Sequence, residues 1–295
     1  MNKVYIIVLN WNGWQDTVEC VESCQKLTYP NFRILIVDNG SSDGSEAILR
    51  NRFPDIEFIQ TGANLGYAGG NNIGIRYALA HGADYIWLLN NDTTVTPDAL
   101  TALVDVAEKN PQVGIGGSKI YFYNKPKTLW FAGGHIDFHS GETLHMGMGD
   151  LDTGQFDYRR EVDYITGCSL LARRNLIETI GLMDEEYFLY FEETAWCVKA
   201  SLAGYKVVFV PESVIYHKES GSTGARSPLF YYYMTRNRLY FLKNFGRKVK
   251  WLKRFYSDFR GIAQFIKNDP CWGQKTRAIT QGYLDFFRGR MGQRK

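Results

Sequence analysis

The 295-residue chain is 45% hydrophobic and 22% charged, with a net charge of +3, an ordinary composition for a globular protein with a substantial core. Its cysteines (Cys20, Cys24, Cys168, Cys197 and Cys271) are odd in number and form no CxxC pair, which argues against a disulfide framework and for reduced thiols in a cytoplasmic protein. No apolar run is long enough to span a bilayer, and the first, residues 4–9, is too short for a secretory signal and lacks a cleavage site.

In chain order, residues 4–9 read as a buried strand. They are followed by an amphipathic segment over 17–27 with Val18 and Val21 at helical spacing. Strands are then predicted at 33–37, 57–60 and 85–89, alternating with helices at 45–53 and 71–81. Strands apolar throughout, in a βαβ rhythm, predict an α/β fold with a mostly parallel sheet covered on both faces. Ligands of such sheets bind beyond the carboxyl ends of the strands, where the polar clusters of this chain fall. Residues 116–164 are expected to be loop-rich, with room for an antiparallel excursion. Regular patterning returns at 165–172. A helix is expected over 192–203, closed by Gly204, and a strand over 207–210, stopped by Pro211. Beyond Ser227 the pattern is mostly helical.

Several clusters could carry chemistry. Asp38-Asn39-Gly40 and the small polar residues after it join a strand to a helix and leave room for a ligand. Asp38 can accept hydrogen bonds from a nucleobase or ribose, or it can serve a common turn. Asp43 is expected to cap the following helix. The loop Asn64-Leu65-Gly66-Tyr67-Ala68-Gly69-Gly70-Asn71 has its glycines spaced G-x-x-G-G, which is neither a dinucleotide fingerprint nor a Walker A loop. A nicotinamide-dependent dehydrogenase or P-loop NTPase therefore lacks its defining element. An apolar strand ends abruptly at Asn90-Asn91-Asp92, which sets Asp92 to contact a hard divalent cation, with helix capping as the alternative. Glu192 and Glu193 follow an aromatic run. Burial there would raise a carboxyl pKa toward that of a general base, and both residues also suit a helix N-terminus. Neighbours on a helix point about 100° apart, so one of the two is expected to face the substrate. His217 precedes a Ser/Gly loop at a strand end, a place for either a structural or a functional histidine.

The order of these clusters, with Thr166-Gly167-Cys168 between the third and fourth, resembles family 2 glycosyltransferases over residues 3–245. The likeness is to the rhamnosyltransferase-like branch that builds bacterial cell-surface polysaccharides. The resemblance implies a GT-A fold over residues 1–227 and an inverting, metal-dependent transfer. The sugar would pass from a UDP- or dTDP-linked donor to a saccharide or lipid-linked acceptor. It further implies that Asp38, beside Asn39, contacts the pyrimidine base, and that Asn64, Gly66, Gly69, Gly70 and Asn71 shape the nucleotide pocket. Asn90-Asn91-Asp92 would stand where the family has its D-x-D motif; Asp92, with His217, would hold Mn2+ or Mg2+, and Asn91 would contact the substrate. Thr166, Gly167 and Cys168 would lie near the transferred sugar. Glu192-Glu193 matches the family's E-D pair, which makes Glu193 the candidate base. Two departures stand out: Asn90 replaces the first aspartate of the metal motif, and Glu193 is one methylene longer than the usual aspartate.

From Arg236 onward, 16 Lys and Arg stand against 3 Asp and Glu, among many aromatic residues. In this C-terminal region, 228–295, Trp251, Leu252, Phe255, Phe259, Ile262 and Ile266 recur at helical spacing. Such a stripe can lie on an anionic membrane, at the inner face of the cell membrane, or pack against the main domain. Nucleic acid is disfavoured because no recognised binding motif accompanies the charge. A sugar-1-phosphate nucleotidyltransferase would need a basic, glycine-rich N-terminal signature where this chain has Asn10-Trp11-Asn12-Gly13. The other alternative is a non-catalytic nucleotide-sugar binding protein.

Overall fold

In the computed structural model, the described residues are 1–218, 227–249, 251, 255, 256, 258, 260 and 272–294. The chain runs β1 (Val4–Asn10), α1 (Trp14–Cys24), β2 (Phe32–Asp38), α2 (Ser45–Arg52), β3 (Glu57–Gln60), α3 (Gly66–Ala80), β4 (Tyr85–Asn90), β5 (Thr93–Val95) and α4 (Ala99–Lys109). It continues through β6 (Val113–Phe122), β7 (Lys125–Phe131), β8 (Gly134–Asp137), β9 (Glu142–His145), β10 (Arg160–Glu161), β11 (Ser169–Arg173), α5 (Arg174–Ile180), α6 (Glu192–Leu202) and β12 (Lys206–His217). Helices α7 (Pro228–Phe245) and α8 (Trp272–Phe287) follow.

The main sheet has the order β10-β12-β6-β11-β4-β1-β2-β3, with β5 added to β12 and β7 to β6. Strands β1, β2, β3 and β4 are mutually parallel, as are β6 and β12, and β11 runs antiparallel between β4 and β6. Reversal at β11 has a consequence for the site. The carboxyl ends of the parallel strands and the residues entering β11 share one rim, since Ser169 pairs with Leu89. Burial of both faces explains why β1 and β4 are apolar throughout rather than alternating.

Three local expectations change. Residues 116–164 open not with a loop but within the ten-residue strand β6, and then form β7 and the hairpin β8–β9. Glycine in Val113–Phe122 hid that strand. Gly117 is required because a Cβ there would come within 2.2 Å of Ile165, so a weak strand former is kept for close packing. Pro211 does not stop β12 either. The register against β6 jumps from Val210–Ser118 to Val214–Lys119, and the bulge accommodates a residue without an N–H. Finally, α3 begins at Gly66, well before the expected start at 71, because tertiary contacts hold its glycine-rich first turn.

The C-terminal helices are packed onto this body. Phe241 of α7 belongs to the main core, and α8 lies against α7, with the Tyr232 hydroxyl donating to Asp285 at 2.9 Å. Trp251 and Phe255 stack on one another, and Phe255 meets Tyr283 and Phe287 of α8. Leu252, Phe259, Ile262, Ile266 and Cys271 lie outside the described residues. Among the described residues, no helix is long and apolar enough to cross a membrane.

Candidate active site

The rim is tied together beneath its surface. Asp38, fully buried at the end of β2, accepts from Asn10 Nδ2 at 2.8 Å, the Ser41 N–H at 2.8 Å and Gln60 Nε2 at 3.0 Å. Asn10 Oδ1 accepts from Thr17 Oγ1 at 2.7 Å, and Asn91 Nδ2 donates to that same hydroxyl at 3.0 Å. A hydrogen-bonded chain Asp38–Asn10–Thr17–Asn91 therefore links the ends of β2, β1 and β4. Asn10 and Thr17 were not candidates from the sequence. Their only signal is the abrupt polar turn after an apolar strand. Asp43 braces the start of α2 by accepting from the Ser45 N–H at 3.0 Å, while Gly44, at φ +84, occupies the cap position itself.

The loop entering α3 is held by Asn39, whose Nδ2 donates to the Gly66 carbonyl at 3.0 Å and to Asn64 Oδ1 at 3.2 Å. Asn64 Oδ1 also accepts the Gly66 N–H at 2.9 Å. Gly66 adopts φ +73, and a Cβ on it would lie 2.2 Å from the Phe188 carbonyl oxygen, so only glycine fits this contact. Gly69 abuts Leu65 and Gly70 abuts Leu9 and Asn39, both too closely for a side chain. Asn71 turns back to donate to the Tyr67 carbonyl at 3.0 Å. Tyr67 is a further site residue that pattern alone does not reveal. Its N–H donates to Phe188 O at 2.7 Å and its hydroxyl to Gly167 O at 2.6 Å, which joins three separate loops.

At the end of β4, Asp92 Oδ1 lies 3.1 Å from His217 Nε2, and both residues are nearly buried. The pairing of β5 with β12 sets this contact, because His217 lies opposite Thr93. His217 Nδ1 is buried and without a partner among the described residues, and its ring meets Trp130 edge-on at 4.5 Å. Trp130 also meets His145 edge-on at 4.6 Å; burial lowers the His145 pKa to about 4, so that ring is neutral. One carboxylate and one imidazole suit a divalent cation that draws its remaining ligands from a diphosphate. No cluster of three His, Cys, Asp or Glu occurs among the described residues, so the pair alone does not make a closed metal cage.

Residues Thr166, Gly167 and Cys168 bridge this pair to the glutamates. The Cys168 carbonyl accepts the Asn90 N–H at 3.1 Å, and the Cys168 thiol is pushed well up by burial and then by the charge of Asp92, which keeps it protonated. Thr166 Oγ1 lies 3.4 Å from the Cys168 N–H. Burial raises the Glu193 carboxyl, and the N–H groups of Glu193 itself, Thr194 and Gly167 oppose that rise. Glu192 is raised well above the usual carboxylate range, by burial first and by the charge of Glu193 second. Oε2 of each glutamate is buried with no hydrogen-bond partner among the described residues. The phenols of Tyr67 and Tyr164 are also raised, by burial first and next by the charge of Glu193.

A mostly parallel sheet carrying an acid–imidazole pair and two adjacent carboxyls on one rim is an arrangement that suits a transferase of the nucleotide-sugar type. The model of glycosyl transferase family 2 matches residues 5–181, more than half of the chain, and the chain belongs to that family. The match ends before Glu192, Glu193 and His217, which therefore rest on geometry. An N-acetylglucosaminyl-diphospho-decaprenol L-rhamnosyltransferase of Mycobacterium tuberculosis is 28% identical over 217 residues, 65% of this chain and 68% of the relative. The dTDP-rhamnosyl transferase RfbF of Shigella flexneri is 24% identical over 254 residues, covering 82% of this chain and 80% of its own. Among solved structures, the Pyrobaculum calidifontis mannosyltransferase PcManGT, in complex with GDP-Man and Mn2+, superposes with a TM-score of 0.59 at 14% identity. That superposition spans 98% of this chain and 88% of the other, and it establishes the fold.

Proposed function

We propose that this glycosyltransferase moves a hexose, with rhamnose the leading candidate, from a dTDP- or UDP-linked donor to an acceptor hydroxyl, with inversion, in the synthesis of a cell-surface glycan. The rhamnosyltransferase names of two relatives support the sugar, and the dTDP in one of them the donor. Asp38 and Asn39 would border the base, and Asn64, Gly66, Gly69, Gly70 and Asn71 the ribose and diphosphate. Asp92 and His217 would hold Mn2+ or Mg2+, which when bound supplies positive charge at the departing diphosphate, and Asn91 would meet the substrate. Thr166, Gly167 and Cys168 would flank the sugar.

One observation carries the reading: two adjacent carboxyls, each with a buried oxygen that has no partner among the described residues, on the same rim as the acid–imidazole pair. Their environments differ. Glu192 is raised well above its usual range, by burial first and then by its neighbour's charge, which favours it as the proton holder. Glu193 is also raised by burial, but its own N–H and those of Thr194 and Gly167 work against that rise and favour it as the carboxylate. Glu193 then takes the acceptor hydroxyl proton as that oxygen bonds to the anomeric carbon and the carbon–diphosphate bond breaks. Backside attack in a single displacement inverts the anomeric centre. Glu193→Gln should lower turnover by about 10²- to 10⁴-fold while leaving donor affinity intact. Release of nucleoside diphosphate from a panel of dTDP-, UDP- and GDP-sugars measures this, and wild-type turnover in the variant would refute the base.

The basic C-terminal region adds a second element to the reading, peripheral attachment to the inner face of an anionic membrane. The acceptor in the name of the mycobacterial relative is a sugar diphosphate on decaprenol, a lipid. Helix α8 exposes Trp272 at its start and Phe287 at its end, the latter beside Arg288 and Arg290 in the chain, the amphipathic chemistry such a surface would take.

A further inference from the structure

The loop that delivers the two glutamates holds an unfavourable backbone. Phe188, Tyr190 and Phe191 have φ values of +63, +70 and +76, a region that bulky L-residues avoid. Three aromatic residues of this kind within four positions persist only where the surroundings over-determine them. Leu189 donates back to Tyr187 O at 2.8 Å, so the segment folds tightly on itself and turns its carbonyls toward one point.

Asn237 occupies that point. Its Nδ2 lies 2.8 Å from Tyr187 O, 2.7 Å from Leu189 O and 2.9 Å from Tyr190 O. The neighbouring Arg236 donates from Nε to Asn237 Oδ1 at 2.9 Å, which fixes the amide with its N–H bonds toward the carbonyls. The Arg236 guanidinium also reaches Tyr187 O at 3.0 Å, Glu186 O at 3.2 Å and Gly292 O at 2.6 Å. Gly292 in turn donates to Glu186 O at 2.7 Å. Both side chains have no solvent exposure. Among the described residues this buried arginine meets no carboxylate; it bonds to backbone carbonyls, the Asn237 amide and the Tyr232 hydroxyl and lies over aromatic faces, and it costs more to bury than an apolar core residue would. The hydrogen bonds it makes to one loop account for its presence.

We propose that Arg236 and Asn237 are positioning residues of the transfer step. From α7 they hold residues 187–191 in the conformation that sets Glu192 and Glu193 at the start of α6. The proposal rests on the assignment of Glu193 as base and deepens it, placing the control of base geometry in the C-terminal region.

Asn237→Ala and the isosteric Asn237→Asp test this. Both should lose turnover by about 10²-fold, the scale of a misplacement on the order of an ångström, with the affinity for dTDP or UDP in the presence of Mn2+ unchanged by calorimetry. The aspartate should be the worse of the two, because it offers only acceptors to three carbonyls. A purely packing role would reverse that order, since aspartate keeps the volume. The acid limb of the turnover–pH profile should move to lower pH as water reaches the glutamates. In a Glu193→Gln background, Asn237→Ala should cost nothing further. Should the Asn237 variants fail to melt cooperatively, Arg236→Lys is read in their place: a shifted acid limb with nucleotide affinity kept supports the proposal, and an unmoved limb overturns it. Full turnover in Glu193→Gln alone would remove the base itself. An inactive Glu193→Gln whose loss Asn237→Ala deepens by its own full factor would remove only the positioning role.

Discussion

At the scale of single residues, burial decides the chemistry. The carboxyl of Glu192 is raised well above its ordinary value of 4.5 by desolvation and by the charge of its neighbour. A group whose pKa is higher in the folded than in the unfolded chain favours folding while protonated and loses that contribution as pH rises between the two values. Each unit of difference is worth about 1.4 kcal/mol. Glu192→Gln, which mimics the protonated form, should therefore melt at a higher temperature than the wild type at pH 8. The two should converge below the unfolded carboxyl pKa, near pH 4. Calorimetric melts across that range check the sign, and a variant less stable at pH 8 would contradict it. Asp92 makes a different prediction. If Asp92 and His217 hold a cation against the diphosphate, Mn2+ should tighten nucleoside diphosphate binding in the wild type and do so little or not at all in Asp92→Ala. Equal tightening in both proteins would take Asp92 out of the metal site.

Among the elements, the sharpest dependence is between two loops far apart in sequence, the one opening α3 and the one opening α6. They meet where Gly66 faces the Phe188 carbonyl and where the Tyr67 N–H donates to it. Gly66→Ala introduces a methyl group at 2.2 Å from that oxygen in a backbone region that disfavours L-residues by about 1–2 kcal/mol, before any clash is relieved. The variant should lose at least that much stability in urea melts and also turn over more slowly, because the loop it displaces leads into Glu192 and Glu193. Stability lost without turnover lost would mean that the two loops are not coupled to the reaction. The glycine pattern marked this loop for close approach. What it approaches lies more than a hundred residues away and could not be read locally.

For the molecule as a whole, charge is partitioned while packing is continuous. The basic C-terminal region is distinct in composition, yet α7 places Phe241 in the main core and Arg236 and Asn237 against the loop before α6. The surface it leaves outward is cationic and studded with exposed aromatics such as Trp272 and Phe287. Full-length protein should co-sediment with vesicles containing phosphatidylglycerol and be released as salt is raised, since each basic side chain near the surface adds about 1 kcal/mol and is screened within a Debye length. No sedimentation on anionic vesicles at low salt would end the membrane reading.

Local periodicity was enough to define an α/β chain with polar clusters at its strand ends, because apolar runs of strand length between helical stripes have few other ways to be buried. It was not enough for β6, whose glycines serve Ile165 rather than any local preference, nor for β12, where a bulge absorbs Pro211. The motifs that carry oxygen and nitrogen ligands stand out in the chain because their residue types are unusual after apolar strands. Their mutual arrangement depends on strand order, above all on antiparallel β11, which brings Cys168 near Asp92 and Gly167 near Glu193. The hydrogen-bonded supports (Asn10 and Thr17 under the rim, Tyr67 across it, Arg236 and Asn237 behind the loop) were invisible for a common physical reason. Each is an ordinary polar residue whose partner is a backbone or side-chain atom made near only by the tertiary fold.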